Sequence, residues 1–254
     1  MTERLYVLVP PSLGKSRGGR RSASRGIFDD DLAASRSQVI GALREVLIRG
    51  VPRELESTFS AKGELLVRAI EATKELESGG APLLAAWRRY EGVVWTHLEP
   101  HSLTSSLRRR ILVPSGLYGL LSGEDPIADY RLKMNAPLAP FASLARFWRP
   151  QITDAIERHT RRARIVNLLP NEHVASIDMA RLAASREFIN VRFVTSDEQS
   201  AVGHDAKAVK GVLARRILLE GADALDGLSW QGWRSRRDGA EVVVTAPVVR
   251  WPVA

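Results

Sequence analysis

The residues able to do chemistry gather where short apolar runs end. The apolar run Leu5 to Val9 leads into Pro10-Pro11 and then Gly14-Lys15-Ser16. A phosphate-cradling P-loop also closes on Gly-Lys-Ser. It needs a glycine five positions before Gly14, so that backbone N–H groups can wrap the phosphates. Position 9 is Val, and Pro10 and Pro11 remove two N–H donors. The stretch therefore reads as a lysine presented past the carboxyl end of a strand, the edge where open α/β sheets bind ligands.

A second cationic group lies near the other end of the chain. In HDAKAVKGVLARRI, Lys207 and Lys210 fall about one helical turn apart, so both can face one anion. Gly211 and Ala214 continue the stripe and leave room for close approach, and Arg215 flanks it. The alternative is a solvated charged face. Ser115-Gly116-Leu117-Tyr118-Gly119 allows tight turns. It is not a nucleophile elbow, because Pro114 precedes Ser115 and no glycine lies two residues upstream. Tyr118 and Tyr130 suit hydrogen bonds to a phosphate or stacking on a base, or a place in the core with the hydroxyl satisfied. Glu172 and His173 follow the apolar run ending in NLLP, and His204 opens the cationic helix. These are acid–base candidates. The histidines show neither i, i+4 pairing nor His-Glu-x-x-His, so no metal site is expected.

The elements that must position these residues follow from periodicity. Strands are expected at 5–9, 108–114, 164–169, 191–195 and 241–246. Helices are expected at 37–49, 60–77, 141–160 and 206–220, with Pro150 kinking or restarting the third. Residues 17–36, rich in Gly, Ser and Arg, read as a mobile basic loop. The first helices and the STFSAKG turn at 57–63 fit a packed helical pair or a helix-hairpin-helix.

The 254 residues are 44% hydrophobic, enough for a sizeable core, and no run is long and apolar enough to span a membrane. There are no cysteines and no signal-peptide pattern, which excludes disulfides and thiol nucleophiles and points to the cytoplasm. The formal net charge of +8 favours polyanionic partners, although lysine is scarce and the arginine excess also fits a compositional bias.

Several ordered stretches carry a resemblance. PPSLGK (10–15), PSGLYGLLSGEDPIADYRLKMNAPL (114–138), ARFWRPQITDAI (145–156), VNLLPNEHVASI (166–177) and HDAKAVKGVLARRI (204–217) resemble the YaaA family of peroxide-stress proteins over nearly the whole chain. The resemblance implies one compact mixed α/β domain over 1–254, with a central sheet, a helical sub-region at about 35–80 and a basic cleft. It also implies DNA binding through a helix-hairpin-helix-like element and a role in limiting free iron. The chain departs from the family pattern at Leu13, where an acidic residue is usual. It departs again at Lys133 and Asn135, in place of Glu and Gly, and at His173, often Tyr.

Together these readings place Lys15, Arg131, Lys133, Lys207, Lys210 and Arg215 on an anion or nucleic acid. Ser115, Tyr118, Tyr130, Glu172 and His204 are the catalytic candidates of the same cleft. No cofactor is expected. DNA is the expected partner; a phosphorylated or carboxylated small molecule, turned over in the cleft, is the alternative.

Overall fold

The computed structural model describes residues 4–161, 163–201 and 203–247. The chain runs through β1 (Leu5–Leu8), α1 (Asp29–Arg49), α2 (Pro52–Phe59), α3 (Gly63–Glu77), β2 (Leu84–Ala85), α4 (Ala86–Arg89), α5 (Val93–Leu98) and α6 (Ser105–Arg108). Next come β3 (Ile111–Ser115), β4 (Gly119–Ser122), β5 (Pro126–Ile127), α7 (Leu144–Thr160), β6 (Arg164–Asn167), α8 (Asn171–Val174) and α9 (Met179–Ser185). The chain closes with β7 (Phe188–Val194), α10 (His204–Glu220), β8 (Ser229–Trp230), β9 (Trp233–Asp238) and β10 (Glu241–Thr245).

The main sheet has eight strands in the order β4-β3-β1-β6-β7-β10-β9-β8. Its centre, from β3 through β1, β6 and β7 to β10, is parallel, and β4 and β9 run antiparallel. β3 is buried at every residue and β6 at all but its first, so both faces of the sheet are covered. α10 packs on α5 and β1, while α1 and α7 pack on each other and on β4.

The connections place a reversal of winding near the centre of the sheet. The chain leaving β1 returns on one side of it, as β3; the chain leaving β6 returns on the other side, as β7. β1 and β6 are neighbours, so their carboxyl ends flank the point where the winding reverses, and a crevice opens there in sheets of this kind. Past β1 lies the segment carrying Lys15, and past β6 the segment carrying Glu172.

The mixed α/β class is as the sequence implies, with differences of detail. Part of the expected mobile loop is helical, because α1 begins at Asp29. Asp29, Asp30 and Asp31 fill its first turn, where carboxylates complement the helix dipole. Asp29 also accepts the Gly26 N–H at 2.7 Å. Pro52, beyond the end expected for the first helix at residue 49, sits in the opening turn of α2, where its missing N–H is no loss. The region expected to hold two helices therefore holds α1, α2 and α3. Pro150 lies inside α7, which runs unbroken from Leu144 to Thr160. The α2–α3 turn passes through Ser60 and Gly63 in the left-handed region. Among the described residues no helix is long and apolar enough to cross a membrane.

Candidate functional site

Lys15 is 5% exposed. It lines a cavity of about 60 Å³ together with Arg68, Asp129, Tyr130 and Arg131, and the exposed Leu13 and Leu65 also line it. The Lys15 Nζ donates to the Ser12 carbonyl at 2.8 Å and sits 4.0 Å from the Tyr130 ring centroid. Burial pulls the ammonium down to about 7; Asp129 opposes that shift, and Arg131, Arg68 and Arg89 add to it. Neighbouring arginines fix the segment in place. Arg68 pairs with Asp129 at 2.7 Å and donates to the Lys15 carbonyl at 2.6 Å. Arg89, fully buried, donates to the carbonyls of Ser16, Gly18 and Pro82 at 2.6, 3.0 and 3.0 Å.

Behind Lys15 runs a chain of hydroxyls. The Ser115 Oγ is 2.8 Å from the Tyr130 hydroxyl, which is 2.6 Å from the Tyr90 hydroxyl. The Tyr118 N–H donates to Ser115 Oγ at 3.1 Å, and the Tyr118 hydroxyl accepts from the Ala128 N–H at 2.9 Å. Burial raises all three phenols, Tyr118 to about 12, so they hold their protons at neutral pH. Ser115 ends β3 fully buried and opposite Gly119 of β4. Gly119 has φ +72°, and an added Cβ would lie 2.6 Å from the Trp148 ring, so the turn admits no side chain there. Arg36 staples α1 to this turn by donating to the Tyr118 and Leu120 carbonyls at 2.8 and 3.2 Å, and pairs with Asp29 within the helix.

A second cavity, of about 630 Å³, opens past the carboxyl ends of β6 and β7 and beside the first turns of α10. Glu172, Asn190, Phe193, Lys207 and Lys210 are among its lining residues. No lining residue is shared with the Lys15 cavity. Among the described residues neither Lys207 nor Lys210 forms an ion pair. Lys210 lies 4.8 Å from the Phe193 ring centroid, and burial, with help from Lys207, lowers its ammonium to about 8. The hydrogen bond from His173 holds the Glu172 carboxyl below its usual value, and the charges of Lys133 and Lys207 push the same way. His173 is buried, 3.4 Å from Glu172, and its Nδ1 has no partner among the described residues. Asn167, at the end of β6, donates to Asn190 Oδ1 at 2.8 Å and accepts from the Leu169 N–H at 3.1 Å, which fixes the exit of the strand.

The residues singled out from sequence thus divide. Lys15, Ser115, Tyr118, Tyr130 and Arg131 surround the first cavity and its hydroxyl chain. Glu172, Lys207 and Lys210 line the second, within reach of the Lys133 charge. His204 is exposed beside Asp205. Arg215 lies 3.7 Å from Glu99 and bonds Ser102. Arg131 donates to the Phe59 and Ser60 carbonyls, both at 3.0 Å, and so closes the end of α2. Gly211 serves packing: an added Cβ would lie 2.3 Å from the Val94 carbonyl of α5. Sequence reasoning missed Arg68, Arg89, Tyr90, Asp125 and Asp129, each of which has a partner far off in the chain. Asp125 is buried and accepts the Ser122 and Ile27 N–H groups at 2.9 and 3.1 Å, and burial raises its carboxyl to about 6. Among the described residues no group of three or more His, Asp or Glu is placed to hold a metal ion.

The family model described as peroxide stress protein YaaA matches residues 5–237. A UPF0246 protein of Streptomyces coelicolor is 28% identical over 249 residues, 96% of this chain and 94% of its own. A UPF0246 protein of Ruegeria sp. is 31% identical over 163 residues, 59% of this chain and 64% of its own. One of Shewanella piezotolerans is 30% identical over 169 residues, 63% of this chain and 66% of its own.

Proposed function

The chain belongs to the YaaA family of peroxide stress proteins, and from that premise we propose that it is a cytoplasmic peroxide-stress protein whose edge cavity binds a phosphorylated or carboxylated small molecule. One observation carries the reading. Lys207 and Lys210 share a cavity of about 630 Å³ at a sheet's carboxyl edge with Glu172, which feels the Lys207 charge, and neither lysine forms an ion pair among the described residues. That volume suits a small-molecule site, and the reversal of winding between β1 and β6 lies alongside. Lys207 and Lys210 hold the anion. Glu172, held below its usual value by His173 and the charges of Lys133 and Lys207, is the acid–base candidate of the same cavity.

The test is calorimetric titration with adenosine monophosphate and with citrate. Lys210→Ala weakens binding by about 2 kcal/mol or more, since it removes a partly buried partner of the anion. Lys207→Ala, at an exposed position, costs about 1 kcal/mol. Absence of binding by either probe, or binding that both variants leave intact, contradicts the reading.

A second reading, contact with DNA phosphates through a basic surface, draws on a separate observation. Arg17, Arg20, Arg21 and Arg25 are exposed along the segment leading into α1, and the chain carries a net charge of +8. Such binding falls steeply with salt and depends little on base sequence. The α2–α3 turn, at Ser60 to Gly63, is the helix-hairpin-helix candidate. Replacing Arg17 and Arg20 by Ala lowers the salt slope by about one for each phosphate left without its guanidinium. A slope that does not change removes this surface from consideration.

A further inference from the structure

We propose that Lys15 is a nucleophilic amine that forms an imine with a small 2-oxo acid held between Arg68 and Arg131. The inference stands on a different cavity from the edge site and does not rest on that reading. Lys15 is buried at the cavity of about 60 Å³ and has no carboxylate within ion-pair distance among the described residues. Its one hydrogen bond among those residues is a donation, to the Ser12 carbonyl, so a neutral amine there keeps its lone pair free. The groups facing it are Arg68 from α3, Arg89 and Tyr90 from the end of α4, and Asp129, Tyr130 and Arg131 from the segment after β5. Three cations against one carboxylate, together with burial, favour the uncharged amine, and the ammonium is lowered to about 7. Lysines are activated as nucleophiles by desolvation and by neighbouring cations in this way.

The same arginines give the cavity an anion preference. Arg68 spends Nε and Nη2 on Asp129 and the Lys15 carbonyl, and Arg131 spends Nε and Nη2 on the Phe59 and Ser60 carbonyls. The Nη1 group of each has no partner among the described residues and is free for a carboxylate. The cavity, of about 60 Å³, is small, which favours a short-chain acid. In the reaction the Nζ lone pair attacks the ketonic or aldehydic carbon. The two amine protons pass to the carbonyl oxygen, which leaves as water. A C=N bond replaces C=O, with no net oxidation or reduction.

The test treats the full chain with glyoxylate and sodium cyanoborohydride from pH 6 to 9 and maps the reduced adduct over the six lysines of the chain. At pH 7 the Lys15 adduct should form at least tenfold faster than adducts at the exposed Lys62 and Lys74. Its rate should level off above about pH 7 instead of climbing through pH 9 as an ordinary lysine's does. Arg131→Gln, checked for native circular dichroism, should slow the glyoxylate reaction about tenfold more than the acetaldehyde reaction, whose smaller loss reflects only the removal of a cation that helps keep Lys15 uncharged. A Lys15 adduct no faster than those at Lys62 and Lys74 overturns the proposal, as does labelling confined to Lys210, which would leave the edge-cavity reading standing. An equal loss with both carbonyl compounds in Arg131→Gln overturns the assignment of a 2-oxo acid.

Discussion

A lysine that folds into a site already holding Arg68, Arg89 and Arg131 gives up hydration and meets like charge. The lowered value of about 7 is the signature. In the unfolded chain the same amine titrates near the ordinary lysine value of about 10.4. Between those values the unfolded state binds the extra proton, so stability rises with pH across the window. Lys15→Met, which keeps the length and discards the charge, should therefore be more stable than the wild type at pH 7. The gain is on the order of 1–3 kcal/mol and should shrink as pH approaches 10.5. Thermal melts of both proteins at several pH values measure this; a gap that is constant with pH would show that Lys15 is not titrating. Asp125 runs in the opposite direction. Its carboxyl, raised to about 6, keeps its proton in the fold while an unfolded aspartate has lost it, so its contribution to stability falls as pH rises from about 4 to 6. Asp125→Ala strands the Ile27 and Ser122 N–H groups and should cost about 1–3 kcal/mol by chemical denaturation. A cost below about 0.5 kcal/mol would mean that those amides find other partners.

Helix α10 lies so close to α5 that a side chain at Gly211 has nowhere to go. Gly211→Ala would set a methyl 2.3 Å from the Val94 carbonyl and 2.9 Å from the Leu98 nitrogen. The backbone must move, at a cost of about 1–3 kcal/mol. Because α10 also carries Lys207 and Lys210, the same variant should weaken anion binding without touching the ligand. Unchanged melting would show that the two helices slide apart freely. The periodicity of α10 is legible in the sequence: Ala206, Val209, Leu213 and Ile217 are all buried. The small residue in it is legible only as a gap. The gap admits the α5 backbone, where a reading by spacing alone has a phosphate approaching. β3, β6, β7 and β10 also stand out, because buried parallel strands are continuous apolar runs. β9, with Arg234, Arg236 and Arg237, does not, since an exposed antiparallel strand near a sheet edge need not be apolar. The start of α1 escapes notice because Asp29 to Asp31 look like loop composition until their place in a first turn is known. Of the candidate site, Lys15, Glu172, Lys207 and Lys210 can be found from their positions past strand ends or on one helix face. Arg68, Arg89 and Asp129 cannot, because what makes them matter is a partner dozens of residues away.

At the scale of the whole molecule, charge and topology support different partners. The net charge of +8 and the exposed arginines before α1 favour a polyanion at the surface. The reversal of winding between β1 and β6 favours a small ligand at the sheet's edge. The two are separable, because a duplex meets exposed guanidinium groups whereas the cavity lysines are reached by a small anion. A DNA titration should therefore respond to salt and to changes at Arg17 and Arg20, and Lys210→Ala should leave it nearly unchanged. Equal losses from both changes would merge the sites into one surface.

The edge cavity is the centre of the account, and its most direct test is the affinity for adenosine monophosphate followed by calorimetry from pH 7 to 10. Lys210, lowered to about 8, holds its charge at pH 7 and loses it above that value. Affinity should fall as pH rises through about 8, with proton uptake accompanying binding near the midpoint, and Lys210→Ala should flatten the profile. Affinity that stays level to pH 10, or that changes with pH identically in Lys210→Ala, would contradict the assignment of this cavity as the anion site.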